Sequence, residues 1–237
     1  MANRLDGRKP DELRPVKVTP NFLAHPPGSC LIEMGKTRVI CSVMIEESVP
    51  PFMKGSGKGW ITAEYSMLPG SSFHRVNRER AKIGGRTHEI QRLIGRSLRT
   101  CLDANILGER SLLVDCDVLD ADGGTRTASI TAAYIAVGLA VRKLSDRIPG
   151  IASAFKHSVA AVSVGIIKGQ PYLDLCYEED KDADVDMNIV KTSTGKYVEV
   201  QGTAEANPFD QAELQKLLAL ADKGIDELIA IQRTVLG

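Results

Sequence analysis

Three groups of residues in this 237-residue chain have the types and spacing to handle a phosphate ester. The first is Gly123-Gly124-Thr125-Arg126, which follows an alternating run at 111–119 and precedes a run of small and apolar residues at 127–144. Glycine lets backbone N–H groups approach an anion closely, and a helix start adds unpaired donors and the positive end of a dipole. Arg126 puts a fixed charge at the same place. Taken alone, the stretch also reads as a strand-to-helix corner with Thr127 as the N-cap. The second group is Arg86, fixed between Gly84-Gly85 and a helical pattern at 87–103, where an anion would meet both a guanidinium and a helix N-terminus. The third is an acidic run, Glu178, Glu179, Asp180, Asp182, Asp184 and Asp186. Asp180 and Asp186 bracket the junction of a loop with a strand in which Val185, Met187 and Ile189 alternate with Asp184, Asp186 and Asn188. Two such carboxylates hold one Mg²⁺, or one of them protonates a leaving oxygen. Asp182 and Asp184 read as solvated, and as a charge run alone the whole stretch would be a solvated loop.

In combination the three groups suit phosphoryl transfer on a nucleic acid. That chemistry is mostly positioning and charge neutralisation, so it requires no Ser or Cys nucleophile. The sequence has no GxxxxGK[ST] loop, which argues against a P-loop NTPase. A polyanionic partner is suggested by local charge. Between residues 71 and 99 stand Arg75, Arg78, Arg80, Lys82, Arg86, Arg92, Arg96 and Arg99 against only Glu79 and Glu89, in a chain of zero formal net charge. Arg92, Arg96 and Arg99 form their own stripe, spaced four and three, and as a stripe they favour a solvated face or a subunit contact.

The elements that must position these groups follow from periodicity. Residues 30–34 and 38–45 form a hairpin around Gly35-Lys36-Thr37, and residues 61–68 a further strand ended by Pro69-Gly70. Residues 50–59 and 71–86 read as loops. The pattern at 87–103 buries Ile90, Leu93, Ile94, Leu98, Cys101 and Leu102 on one face. The helix 127–144 is apolar nearly all round, so it must be a central, buried element and a rigid mount for the glycine–arginine start. A second hairpin pairs 159–167 with 172–177, and a strand at 197–201 follows the turn at Thr194-Gly195. Asn207-Pro208-Phe209-Asp210 starts a C-terminal helix with Asn207 as cap. Residues 1–27, with charges alternating in sign, read as an extended, solvated arm. Two hairpins count against a doubly wound parallel sheet and favour an α+β fold of two mixed β-sheets with packed helices.

Composition narrows the class. Hydrophobic content of 43% and charged content of 25% describe an ordinary globular protein. The five cysteines (Cys30, Cys41, Cys101, Cys116, Cys176) are odd in number and stand singly in apolar runs, so they read as buried thiols of a reducing compartment. The N-terminus carries no apolar signal core, and the most apolar stretch, 130–141, reads as a buried helix rather than a membrane span. The expected location is the cytoplasm, with no membrane partner.

The segments RLDGRKPDELRPV, GSCLIEMGKTRVICSV, GWITAEYSMLPGSSFHR, GRTHEIQRLIGRSLR, DVLDADGGTRTASITAA and YEEDKDADVDMN, in that order along the chain, resemble the ribonuclease PH family. The resemblance covers essentially the whole chain and implies a single domain over residues 1–237 with the fold of ribosomal protein S5 domain 2. It implies a phosphate-dependent 3′→5′ exoribonuclease, also a tRNA nucleotidyltransferase, that trims the 3′ ends of tRNA precursors, acts in tRNA and rRNA processing, and releases nucleoside 5′-diphosphates. It further implies inorganic phosphate as co-substrate at Arg86, Gly124, Thr125 and Arg126, with Mg²⁺ at the catalytic pair Asp180 and Asp186. A homo-hexamer built as a trimer of dimers is implied as well. Within this resemblance the basic track, Arg92, Arg96 and Arg99 included, becomes a candidate RNA-binding surface. Nearby aromatics are few (Trp60, Tyr65, Phe73), which suits tolerance of base identity. The related polynucleotide phosphorylase usually has a lysine two residues after the second acid, where this chain has Asn188. A non-catalytic RNA-binding ring subunit of an exosome-like assembly is the rival reading. Such subunits commonly lack the acids or the phosphate arginine, and this chain keeps them.

Overall fold

The computed structural model describes residues 4, 6–79, 82–205 and 207–237; Arg80 of the basic stretch lies outside them. The first half contains β1 (Val16–Pro20), β2 (Gly28–Met34), β3 (Thr37–Glu46), β4 (Trp60–Met67), α1 (Gly85–Cys101), α2 (Ala104–Leu107), β5 (Ser111–Asp120) and α3 (Thr125–Leu144). The second contains β6 (Val159–Ile167), β7 (Gln170–Leu173), α4 (Tyr177–Lys181), β8 (Val185–Thr192), β9 (Tyr197–Ala204) and α5 (Gln211–Leu236). The strands form two sheets, ordered β1-β2-β3-β5-β4 and β7-β6-β8-β9. All pairings are antiparallel except β4 with β5, which the α1 crossover allows. The α+β class with two sheets and packed helices is therefore the one observed.

α3 lies between the sheets, packed on β2 and β3 from one side and on β6 and α5 from the other. This is why it carries no polar face: nearly every residue from Thr127 to Val137 is buried. It is long and apolar enough to cross a membrane by composition, and 83% of its apolar window is buried in the protein core instead. Residues of both sheets and of α1, α3 and α5 join one continuous hydrophobic core. The cysteines are free, four buried and Cys176 half-buried, as expected of inert thiols.

The structure corrects several local expectations. The N-terminal arm is docked rather than solvated: Arg4 and Arg14 are only 5% and 3% exposed. α1 begins at Gly85, so Arg86 sits in its first turn and not ahead of it. α3 begins at Thr125 with Gly124 as its N-cap, at φ 64, a left-handed conformation that glycine adopts without strain. Thr127 is thus inside the helix, where its hydroxyl donates to the Gly124 carbonyl at 2.9 Å. β7 stops at Leu173, because Asp174 takes φ 55 and turns the chain towards α4. The cap of α5 is Asp210, not Asn207. Asp210 accepts from the Glu213 N–H at 2.8 Å while the Glu213 carboxylate accepts from the Asp210 N–H at 2.9 Å, a reciprocal box that satisfies two end donors.

Candidate active site

One cavity of about 370 Å³ is lined by Arg86, Gly124, Thr125, Arg126, Asp180 and Asp186 together. All six residues singled out as phosphate- or metal-binding therefore converge, although they come from α1, the start of α3, α4 and β8. Met67, Ser72, Ala121, Gly123, Ser163, Tyr177 and Asn188 complete the wall.

The cationic side is built on helix starts. α3 has no side chain capping its N-terminus, which leaves its first-turn N–H groups for a ligand. Among the described residues Arg126 is held on one edge only. Its Nη1 donates to Gln201 Oε1 of β9 at 2.9 Å and to Glu89 Oε1 of α1 at 3.3 Å, and its side chain is 16% exposed. Gln201 in turn donates to Glu89 at 2.7 Å. Arg86 is exposed at the cavity rim. Thr125 Oγ1 lies 2.9 Å from the hydroxyl of the buried Tyr65 of β4. A hydroxyl so paired can accept from Tyr65 and donate onward to an anion.

The anionic side faces it. Asp186 stands on β8 opposite Gly165 of β6 and Thr203 of β9. Burial, with Asp180 charge beside it, pushes its carboxyl up to about 6, and Arg126 pulls in the other direction. Asp180, on α4 and more open to solvent, is also raised by desolvation, with Arg86 and Arg126 opposing. Asp186 Oδ1 is buried and accepts no hydrogen bond among the described residues. A buried carboxylate oxygen without a donor is costly unless a cation or proton meets it. The pair fits Mg²⁺, which takes one or two protein carboxylates and completes its shell with water and substrate phosphate. Among the described residues no group of three or more His, Cys, Asp or Glu forms a protein-only metal cage. Asp182 is exposed and Asp184 accepts from the Lys168 N–H at 2.8 Å, so both stay outside the site.

The other basic residues divide. Arg96 pairs with Glu199 of β9. Arg99 donates to the Ile61 carbonyl at 2.7 Å and lies 4.6 Å over the Trp60 ring. Arg92 is exposed on α1. None of the three lines the cavity. Of the aromatics considered, Tyr65 is buried and Trp60 is covered by Arg99, whereas Phe73 is 97% exposed. Tyr177, 52% exposed on the cavity wall, opens the YEEDKDADVDMN segment but was given no role from the sequence. Gln201, Glu89 and Tyr65 were missed as well: each acts on a motif residue from a distant strand or helix, which no local spacing reveals.

The chain matches the models of the 3′ exoribonuclease family, domain 1 over residues 12–142 and domain 2 over residues 157–224. It is 56% identical to ribonuclease PH of Syntrophomonas wolfei over 99% of both chains. It is 57% identical to ribonuclease PH of Neisseria meningitidis serogroup C over 97% of this chain and 96% of that one. Among solved structures it resembles rice (Oryza sativa) Rrp46, with a TM-score of 0.80, 19% identity and coverage of 99% and 100% of the two chains. An Archaeoglobus fulgidus exosome with RNA bound to its active site aligns with a TM-score of 0.79 at 22% identity, covering 95% and 91%. At these identities the structural likenesses speak for the fold.

Proposed function

The chain belongs to the ribonuclease PH family of 3′ exoribonucleases and is a phosphorolytic 3′→5′ exoribonuclease acting on tRNA, and we propose that its reaction runs in the cavity between Arg126 and the Asp180/Asp186 pair. The convergence of the six motif residues on that one cavity carries the proposal.

Inorganic phosphate, the co-substrate, binds at the α3 N-terminus between Arg86 and Arg126, with Gly124 and Thr125 supplying backbone donors and a hydroxyl. Held there, one phosphate oxygen is aimed at the phosphorus of the last phosphodiester. The new P–O bond forms as the bond to the ribose 3′-oxygen breaks. A nucleoside 5′-diphosphate leaves, and the shortened RNA keeps a 3′-hydroxyl after its oxygen takes up a proton. The guanidinium groups stabilise the charge that accumulates on the transferring phosphoryl group. Mg²⁺ held by Asp180 and Asp186 would supply Lewis-acid stabilisation of the leaving oxygen. Asn188, 8% exposed on the cavity wall, is an amide where the related polynucleotide phosphorylase usually has a lysine, so it adds no charge beside the acids.

In this reading residues 1–237 work as one domain, because both matched segments contribute to one site and one core. Precursor tRNA 3′ ends are the RNA partner, the location is the cytoplasm, and the assembly is a ring, a hexamer made as a trimer of dimers. Arg92, exposed on α1, is available to RNA or to a neighbouring subunit, whereas Arg96 is paired with Glu199 and Arg99 is engaged with Trp60. The rival non-catalytic ring subunit is disfavoured by the intact set of acids and arginines. The test is RNA shortening with and without phosphate. We expect shortening only with phosphate and diphosphate products; nucleoside monophosphates formed without phosphate would overturn the reading in favour of a hydrolase.

A further inference from the structure

Resting on the phosphate site proposed above, we infer that Arg14 is a positioning residue that turns the backbone of the glycine loop towards the phosphate. Arg14 lies in the arm before β1 and is 3% exposed. One edge of its guanidinium grips Asp174, with Nε 3.0 Å from Oδ2 and Nη2 2.7 Å from Oδ1. The Arg14 N–H also donates to Asp174 Oδ2 at 2.8 Å. Asp174 is fully buried, so this ion pair is rigid and desolvated. The other edge reaches the glycine loop. Nη1 donates to the Asp122 carbonyl, and Nη2 lies 3.5 Å from the Gly123 carbonyl. Thr37 completes the grip: its hydroxyl donates to the Gly123 carbonyl at 2.7 Å and accepts from the Asp122 N–H at 3.0 Å.

The consequence is geometric. Every described peptide bond is trans, and in a trans peptide the C=O and the following N–H point in opposite directions. With the Asp122 and Gly123 carbonyls fixed towards Arg14 and Thr37, the N–H groups of Gly123 and Gly124 are turned away from them. Both glycines line the cavity. The guanidinium thus orients donors without touching the ligand. The same arm ties down the acidic side. Arg4 makes a two-pronged pair with Glu179 at 2.7 and 2.6 Å, and Glu179 directly precedes Asp180 in α4. Arg4 also donates to the Asp174 carbonyl at 2.9 Å, so both arginines converge on the turn that leads from β7 into α4.

The experiment uses the full-length enzyme and varies phosphate at saturating RNA. Arg14→Ala alone would strip the buried Asp174 of its close guanidinium partner and leave only Arg8, 3.7 Å away, to meet its charge, so the informative variants are Arg14→Met/Asp174→Asn, which removes both charges of the pair, and Arg14→Lys, which keeps both. Arg126→Ala serves as the reference for the phosphate site. The double variant should raise the phosphate KM about tenfold, with kcat at saturating phosphate and the RNA KM within about twofold. Arg14→Lys, with a point charge in place of the fork, should raise it less, about threefold. A raised phosphate KM in Arg126→Ala beside an unchanged one in both Arg14 variants overturns the role of Arg14 and leaves the phosphate site standing. An unchanged phosphate KM in Arg126→Ala overturns the phosphate site and this inference with it. A loss of active enzyme in the Arg14 variants with every KM unchanged marks a purely structural residue and also overturns the inference.

Discussion

Asp186 is where burial and the catalytic role proposed for it conflict most openly. Its carboxyl, raised from 3.8 to about 6, binds a proton in the folded protein over a pH range in which the unfolded chain has lost it. Through this group, stability therefore falls as pH rises from about 4 to 6, and above that the cost of a buried charge is fully present. Asp186→Asn should raise the stability of the metal-free protein at pH 7.5 by about 1–2 kcal/mol, allowing for partial solvent access. The gain should shrink at pH 5, and phosphorolysis should drop at least about a hundredfold at either pH. Denaturant melts at the two pH values measure this; an Asn variant less stable than the parent at pH 7.5 would refute the account. The wild-type enzyme should also need more Mg²⁺ below pH 6, since a protonated carboxyl is no ligand. Asp186 itself was legible in the sequence because a carboxylate alternating with Val185 and Met187 has an apolar strand behind it. The Gln201–Glu89 clamp on Arg126 was not, because its partners are 75 and 37 positions away and obey no spacing rule.

At the scale of elements, periodicity located the buried faces and erred at the ends. The all-apolar pattern of α3 placed it in the core, and the stripe on α1 identified its buried side correctly. Helix starts depend on which donor finds which acceptor, so near-equivalent caps compete. Asp210 prevails over Asn207 because Glu213 stands at the right offset to answer it, and Gly124 prevails over Thr127 because its left-handed φ lets the chain turn directly out of β5. The arm defeated the reading altogether: a charged, proline-rich stretch looks solvated unless its arginines have buried carboxylates to meet, and Glu179 and Asp174 lie more than 150 residues away. The glycine loop offers a direct test of how tightly α4 is set against it. A Cβ on Gly123, already at φ 72, would stand 2.6 Å from the Leu175 carbonyl and 2.9 Å from the Tyr177 nitrogen, both backbone atoms that cannot rotate aside. Gly123→Ala should cost about 1–3 kcal/mol and reduce turnover by at least about tenfold through the displaced Asp180 helix. Gly70→Ala, where a Cβ meets nothing, should stay within about 0.5 kcal/mol of the parent. Equal melting temperatures for the two variants would show that α4 is free to move.

For the whole molecule, the division of labour between the two matched segments matters most. The segment 12–142 supplies Arg86 and the α3 start, and the segment 157–224 supplies Asp180 and Asp186. Neither half can assemble the site alone, and the continuous core through α3 obliges them to fold together. A ligand bound between them must therefore stabilise the entire chain rather than a local loop. Phosphate present at a hundredfold its Kd should add about 2.7 kcal/mol and shift a single cooperative transition upwards. Arg126→Ala should lose most of that shift, and Arg86→Ala, whose side chain approaches from the rim, should lose part of it. Arg92→Ala, outside the cavity, should retain it in full. Thermal melts across a phosphate series at constant ionic strength separate specific binding from general salt effects on the protein surface. A wild-type shift equalled by Arg126→Ala would mean that phosphate binds elsewhere, and the convergence of six residues on one cavity would then need a different ligand to explain it.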